Sequence, residues 1–126
     1  MRCSLSKTFS FEAAHWLPTF PEGHKCRHMH GHSFRVEVHV EGEVGSGSGW
    51  VTDFACISEA FAPFFEQLDH SCLNEIAGLE NPTSENLAQW LWARLEPRLP
   101  GLSSIAVHET PASGCVYRGP AAGGTR

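Results

Sequence analysis

Residues 30–43 hold a period of two. His30, His32, Phe34, Val36, Val38 and Val40 fall on one side, and Ser33, Arg35, Glu37, His39 and Glu41 on the other. Side chains two apart on a strand share a face, so this stretch reads as a long strand with one face on a core and one in water. Residues 3–11 repeat the pattern: Cys3, Leu5, Phe9 and Phe11 stand opposite Ser4, Ser6, Thr8 and Ser10, with only Lys7 out of place. Two amphipathic strands in one sheet need a second layer to cover their shared apolar face.

That layer is visible where the period changes. Ile57, Phe61, Phe64, Phe65 and Leu68 recur at helical spacing over residues 55–68, although Pro63 should kink or shorten the helix. A second helix has clearer punctuation. Thr83 can cap it after Pro82, Glu85 sits in its first turn, and Leu87, Trp90, Leu91 and Leu95 form its stripe, with Pro97 and Pro100 beyond its end. Residues 104–110 alternate again, and residues 115–118 read as a last short strand after a turn at 111–114. Residues 16–28 carry Pro18, Pro21 and Gly23 and read as a loop, residues 45–49 as a flexible turn, and residues 50–54 as a segment able to return as a strand partner. The expectation is an α+β fold, one domain over residues 1–118. Its four-stranded antiparallel sheet and two helices follow the order ββααββ, and a disordered tail of Gly, Ala and Pro covers residues 119–126.

Composition narrows the function. The formal net charge is −5, and the nine Lys and Arg never gather into a run, which argues against a nucleic-acid partner. No apolar stretch approaches the roughly 20 residues of a membrane span, so no membrane partner is expected. Residues 1–20 show no secretory h-region, and the five cysteines include no CxxC pair, which together suggest reduced thiols in a cytoplasmic protein. Eight histidines in 126 residues is an excess that directs attention to metal or proton chemistry.

His30 and His32 share a strand face roughly 7 Å apart along the chain, close enough for both imidazoles to reach one ion. His15 lies just past the first strand and reaches the same point if the two strands pair. Three His ligands leave a fourth tetrahedral position open, as in catalytic zinc. H-x-H alone is also a common surface pattern, and His28 with His30 forms a second such pair. Cys26 stands four residues before His30, either as a fourth ligand of a structural site or as a free thiol beside a metal. Lys25, Arg27, His24 and His28 would favour its thiolate. The other cysteines (Cys3, Cys56, Cys72 and Cys115) read as packing residues. Asp69 and His70 follow the first helix, a pairing that a helix C-terminus also explains. Glu109 falls on the apolar face with Ile105 and Val107, where a carboxylate needs a partner that a ligand with N–H donors can supply.

Five motifs occur in order. They are Phe11-Glu12-Ala13-Ala14-His15, Cys26-x-x-x-His30-Gly31-His32, Leu68-Asp69-His70 with Leu73-Asn74, Asn81-Pro82-Thr83-Ser84-Glu85-Asn86, and Glu109-Thr110. Over residues 7–118 the chain resembles the 6-pyruvoyl-tetrahydropterin synthase superfamily, and within it the bacterial 6-carboxytetrahydropterin synthase branch. The resemblance implies a T-fold whose sheets join into a barrel of three subunits, with two trimers stacked as a homo-hexamer and active sites between subunits. It implies zinc on His15, His30 and His32, with Cys26 as general base and Asp69 and His70 as a proton relay. Glu109 would anchor the pterin, with Thr83 a further substrate contact. The implied substrate is 7,8-dihydroneopterin triphosphate. The implied products are 6-carboxy-5,6,7,8-tetrahydropterin, acetaldehyde and triphosphate, on the route to queuosine. The flanking of Gly31 by His30 and His32 matches the family's His-Gly-His and favours that pair over His28. The short Cys-x-x-x-His-Gly-His spacing favours the carboxy type over the pyruvoyl type, which eliminates triphosphate without carbon–carbon cleavage. Cys26 argues against a folate-linked class carrying Glu at that position. A structural zinc module is the non-enzyme alternative, and it lacks the basic face that nucleic acid would need.

Overall fold

The computed structural model describes residues 1–121. Its elements run in the order β1 (Arg2–His15), β2 (His30–Glu43), α1 (Phe54–Leu68), β3 (Ser71–Cys72), α2 (Ser84–Leu95), β4 (Leu102–Thr110) and β5 (Ser113–Tyr117). The five strands form one sheet in the order β3-β1-β2-β4-β5. From residue 122 onward the expected tail lies outside the described residues.

The alternation seen in the sequence sets the register. β1 and β2 pair antiparallel over their full lengths, from Arg2 opposite Glu43 to His15 opposite His30. That puts Phe11, Phe34, Val36, Val38, Ile105 and Val107 on one face, where Ile57 and Phe61 of α1 and Leu87, Leu91 and Leu95 of α2 cover them. Each such side chain, fully buried, contributes about 1.5–3 kcal/mol of apolar transfer. Asp53 caps α1 through the Ala55 N–H, and Thr83 caps α2 through the Asn86 N–H. The opposite face of the sheet carries Ser10, Ser33 and Arg35 exposed.

Three expectations need correction. The sheet has a fifth strand, β3, which pairs parallel to β1 at Ala13 and Ala14. Two residues are too few to show a period, so β3 leaves no sequence signal. Pro63 does not shorten α1, which continues through it to Leu68. A proline there removes one backbone donor, and the apolar stripe of Ile57, Phe61 and Leu68 stays buried across it. Residues 50–54 do not return as a strand. The Gly45 N–H donates to the Trp50 carbonyl to close a turn, after which Asp53 caps α1.

β2 and β4 stop pairing at Arg35 and His108. Beyond that point β2 runs on to His30 while β4 runs on to Thr110, with no ladder between them. The sheet therefore opens into a cleft at this end, beside the histidines.

Candidate metal and catalytic site

β1 and β2 deliver three imidazoles to one corner. His15, the last residue of β1, faces His30, the first of β2, and His32 faces Ala13. One nitrogen from each ring lies within 4.8 Å of the others. The ring centroids of His15 stand 4.6 Å from His30 and 5.1 Å from His32. Phe34 forms the floor, its ring edge-on to both His15 and His32. His15 is fully buried, and His30 and His32 are half-buried.

The tautomers follow from the hydrogen bonds. His15 Nδ1 lies 2.8 Å from the carbonyl oxygen of Pro82, and His30 Nδ1 lies 2.7 Å from that of His28. A carbonyl only accepts, so each Nδ1 donates and each Nε2 keeps its lone pair free. His15 Nε2 is buried and has no partner. An unsatisfied buried polar atom costs about 1–3 kcal/mol, which a metal ion in the corner would remove. Burial holds the His15 imidazole below its ordinary pKa, against the opposing effect of the Pro82 bond, and so favours the neutral form a ligand needs. The residues fit a divalent ion on three imidazoles, two of them, His15 and His30, oriented by backbone carbonyls. His28 serves the corner through its carbonyl, and its own ring is exposed.

Two hollows meet at Gly31, His32 and Glu109. One of about 420 Å³ is lined also by Leu17, Lys25, Cys26 and His30. The other, about 490 Å³, occupies the cleft between β2 and β4 and reaches Ser33, Arg35 and His108. Cys26 is half-buried and lies outside the converging imidazoles, although it opens on the same space. Of the four basic neighbours expected to favour its thiolate, Lys25 shares the hollow. Arg27 is turned away to donate to the carbonyls of Pro18 and Phe20 at 2.8 and 3.0 Å.

Glu109 does face the apolar side, but it is not unpaired. Ser84 Oγ donates to its Oε1 at 2.9 Å, and His32 Nε2 stands 3.8 Å from its Oε2. Thr83 Oγ1 accepts from the Asn86 N–H, which leaves the hydroxyl proton available. Cys56, expected as a packing residue, is exposed.

Asp69 and His70 are brought to each other and not to the imidazole corner. Asp69 Oδ2 lies 2.9 Å from His70 Nδ1, while its Oδ1 accepts from the Glu12 N–H at 3.0 Å. These bonds, the one from Glu12 first, hold the Asp69 carboxyl below the usual range. His70 adopts φ 59°, a left-handed conformation unusual for histidine, and its ring is exposed. Neither residue lines either hollow. Ser84 and the Pro82 carbonyl were missed by sequence reasoning as site groups. Ser84 stood within a quoted motif, but a carbonyl has no sequence signature at all.

The model of the family described as 6-pyruvoyl tetrahydropterin synthase matches residues 4–120. The 6-carboxy-5,6,7,8-tetrahydropterin synthase of Synechocystis is 48% identical over 90% of this chain and 92% of its own length. The dihydroneopterin monophosphate aldolase of Pyrococcus furiosus is 37% identical over 80% of this chain and 82% of its own. Among solved structures, 6-pyruvoyl tetrahydropterin synthase of Caenorhabditis elegans superposes with a TM-score of 0.87 at 26% identity, covering 94% of this chain and 96% of that one.

Proposed function

The chain belongs to the 6-pyruvoyl tetrahydropterin synthase family, and from that membership we propose that it is a zinc-dependent carbon–carbon lyase of the 6-carboxytetrahydropterin synthase type. The substrate is then 7,8-dihydroneopterin triphosphate, and the products are 6-carboxy-5,6,7,8-tetrahydropterin, acetaldehyde and triphosphate. A cytoplasmic place in 7-deazapurine (queuosine) synthesis belongs to the same reading. The observation that carries it is the buried, unpartnered Nε2 of His15 beside two further imidazoles. The identity to the Synechocystis protein supports the carboxy type over the pyruvoyl type.

Bound by His15, His30 and His32, zinc would supply Lewis acidity toward the side-chain oxygens of the substrate. Glu109 takes the 2-amino and ring N–H groups of the pterin, and Ser84 keeps its carboxylate from turning. The Cys26 thiolate, in the hollow shared with Glu109, removes the proton from the side-chain carbon next to the ring. Asp69 holds the Nδ1–H of His70, so that the far nitrogen of that ring exchanges protons with substrate oxygens. The free hydroxyl proton of Thr83 is a further donor to the substrate.

Asp69 and His70 stand on the outward edge of β1, so in this reading they serve the hollow of a neighbouring copy. β3 covers β1 only at Ala13 and Ala14, and β5 has no outer partner among the described residues. Unpaired edges are where strands of another chain add. They support the edge-to-edge joining of sheets within each trimer of the proposed homo-hexamer.

The test is to incubate zinc-loaded protein with dihydroneopterin triphosphate and, separately, with the monophosphate, and to identify products by mass. The 6-carboxy product with acetaldehyde is expected from the triphosphate. A 6-pyruvoyl product would move the chain to the pyruvoyl type, and turnover of the monophosphate alone would move it to the aldolase type. Turnover of neither would overturn the reading.

A further inference from the structure

One side chain ties the end of β1 to the segment that follows α1. Asn74 Oδ1 accepts from the Trp16 N–H at 3.0 Å, and its Nδ2 donates back to the Trp16 carbonyl at 2.7 Å and toward the Glu80 carbonyl at 3.4 Å. A single amide thus grips both backbone groups of the residue after His15. On the other side of β3, Asp69 accepts from the Glu12 N–H and the His70 N–H donates to the Glu12 carbonyl. Between these two clamps β3 pairs at Ala13 and Ala14. Residues 69–74 therefore follow residues 12–16 step by step.

We propose that Asn74 is a positioning residue that holds His15 and the Asp69–His70 pair in one register. This assignment rests on the functional reading above, in which His15 is a metal ligand and the pair a proton relay.

A two-residue parallel strand supplies little pairing of its own, so the clamps at its ends set its place. His70 is in the left-handed region, a conformation that is costly for a residue with a Cβ and persists only where the surroundings over-determine it. Glu12 anchors that turn before β3, and Asn74 anchors the chain after it. Loosening the second anchor frees His70 toward negative φ and swings its ring. It also frees Trp16, and with it the backbone that aims the His15 ring at the corner.

The contact is specific to a short amide. Aspartate has the same shape but no donor, and it would set an anion against two carbonyl oxygens. Alanine reaches nothing. Asn74→Ala and Asn74→Asp are therefore compared with wild type by thermal melting, zinc affinity in chelator competition, the visible spectrum of the cobalt-substituted protein, and kcat and KM.

Both variants are expected to fold, to bind zinc about 10–100-fold more weakly, the range typical of losing a group that orients a ligand, and to show a changed cobalt spectrum. Turnover should fall mainly in kcat. If the alanine variant does not fold, the isosteric Asp variant carries the comparison. Folded variants with wild-type zinc affinity and an unchanged cobalt spectrum would overturn the assignment alone. Loss of folding in both would make Asn74 a fold residue and overturn it too. A wild-type protein that takes up no cobalt would overturn the metal reading first, and this assignment with it.

Discussion

His15 and Pro82 are joined by a 2.8 Å contact between Nδ1 of the ring and the backbone carbonyl, which fixes the proton on Nδ1 and turns Nε2 into the corner shared with His30 and His32. An imidazole of the candidate metal corner, at the end of β1, is thereby oriented from the turn that opens α2. Burial of the same ring, which outweighs the Pro82 bond, should make the metal-free protein sensitive to acid. Burial lowers the folded-state pKa of His15 below the ordinary histidine value of about 6.5, so below that pH the unfolded chain takes up a proton that the folded one resists. The stability contributed by neutral His15 is present above about pH 6.5 and is lost as pH falls toward the depressed folded value. Denaturant midpoints of the metal-free protein should drop between pH 7.5 and 5.5, and the drop should be smaller in His15→Asn.

Cys26→Ala should keep zinc and the fold, because Cys26 stands outside the converging imidazoles. Turnover should fall by about 10²-fold or more, the usual cost of losing a general base. Zinc content by metal analysis and kcat decide the matter together. Loss of zinc in this variant would make Cys26 a fourth ligand and restore the structural-module reading.

Glu109→Gln keeps an oxygen for Ser84 and loses the charge. Binding of a pterin analogue should weaken by roughly one to two powers of ten, as expected from removing a charge-assisted hydrogen bond of about 1.5–3 kcal/mol. The melting temperature should move little, since the Ser84 contact survives. Titration calorimetry beside a thermal scan separates the two effects.

Asp69→Asn should lower turnover while leaving zinc affinity unchanged, because the pair does not touch the corner. The bonds from Glu12 and His70 hold the Asp69 carboxyl below its ordinary value of about 3.8. Its contribution is therefore present above that value and is lost as pH falls through the lower folded pKa. Wild type and the Asn variant should converge in stability in strong acid and differ near neutrality.

Much of the fold was legible because its signals are periodic. The alternation from Phe34 to Val40 places β2, and the same rule puts His30 and His32 on the face of Phe34. Thr83 caps α2 where the sequence placed it. What stayed hidden is short or made of backbone. Ser71 and Cys72 cannot show a period, and nothing in the letters distinguishes the carbonyls of Pro82 and His28 from any others. Pro63 misled in the other direction, since a local rule allowed a shortened helix, and α1 with its buried stripe runs through to Leu68. Glu109 was readable as an anomaly on an apolar face, but its partner Ser84 lies on another element 25 residues away.

The placement of Asp69 and His70 between α1 and β3, beside the edge of β1 and away from the hollow that holds Cys26, has a genetic consequence. In the proposed assembly each working centre draws its thiol from one polypeptide and its acid–imidazole pair from another. Two chains, one carrying Cys26→Ala and the other Asp69→Asn, should each be impaired in their own homo-oligomers. Co-assembled, they rebuild some centres from two intact halves, so mixing two impaired enzymes should yield a faster one. Recovery should require exchange of subunits and be abolished by cross-linking each oligomer before mixing.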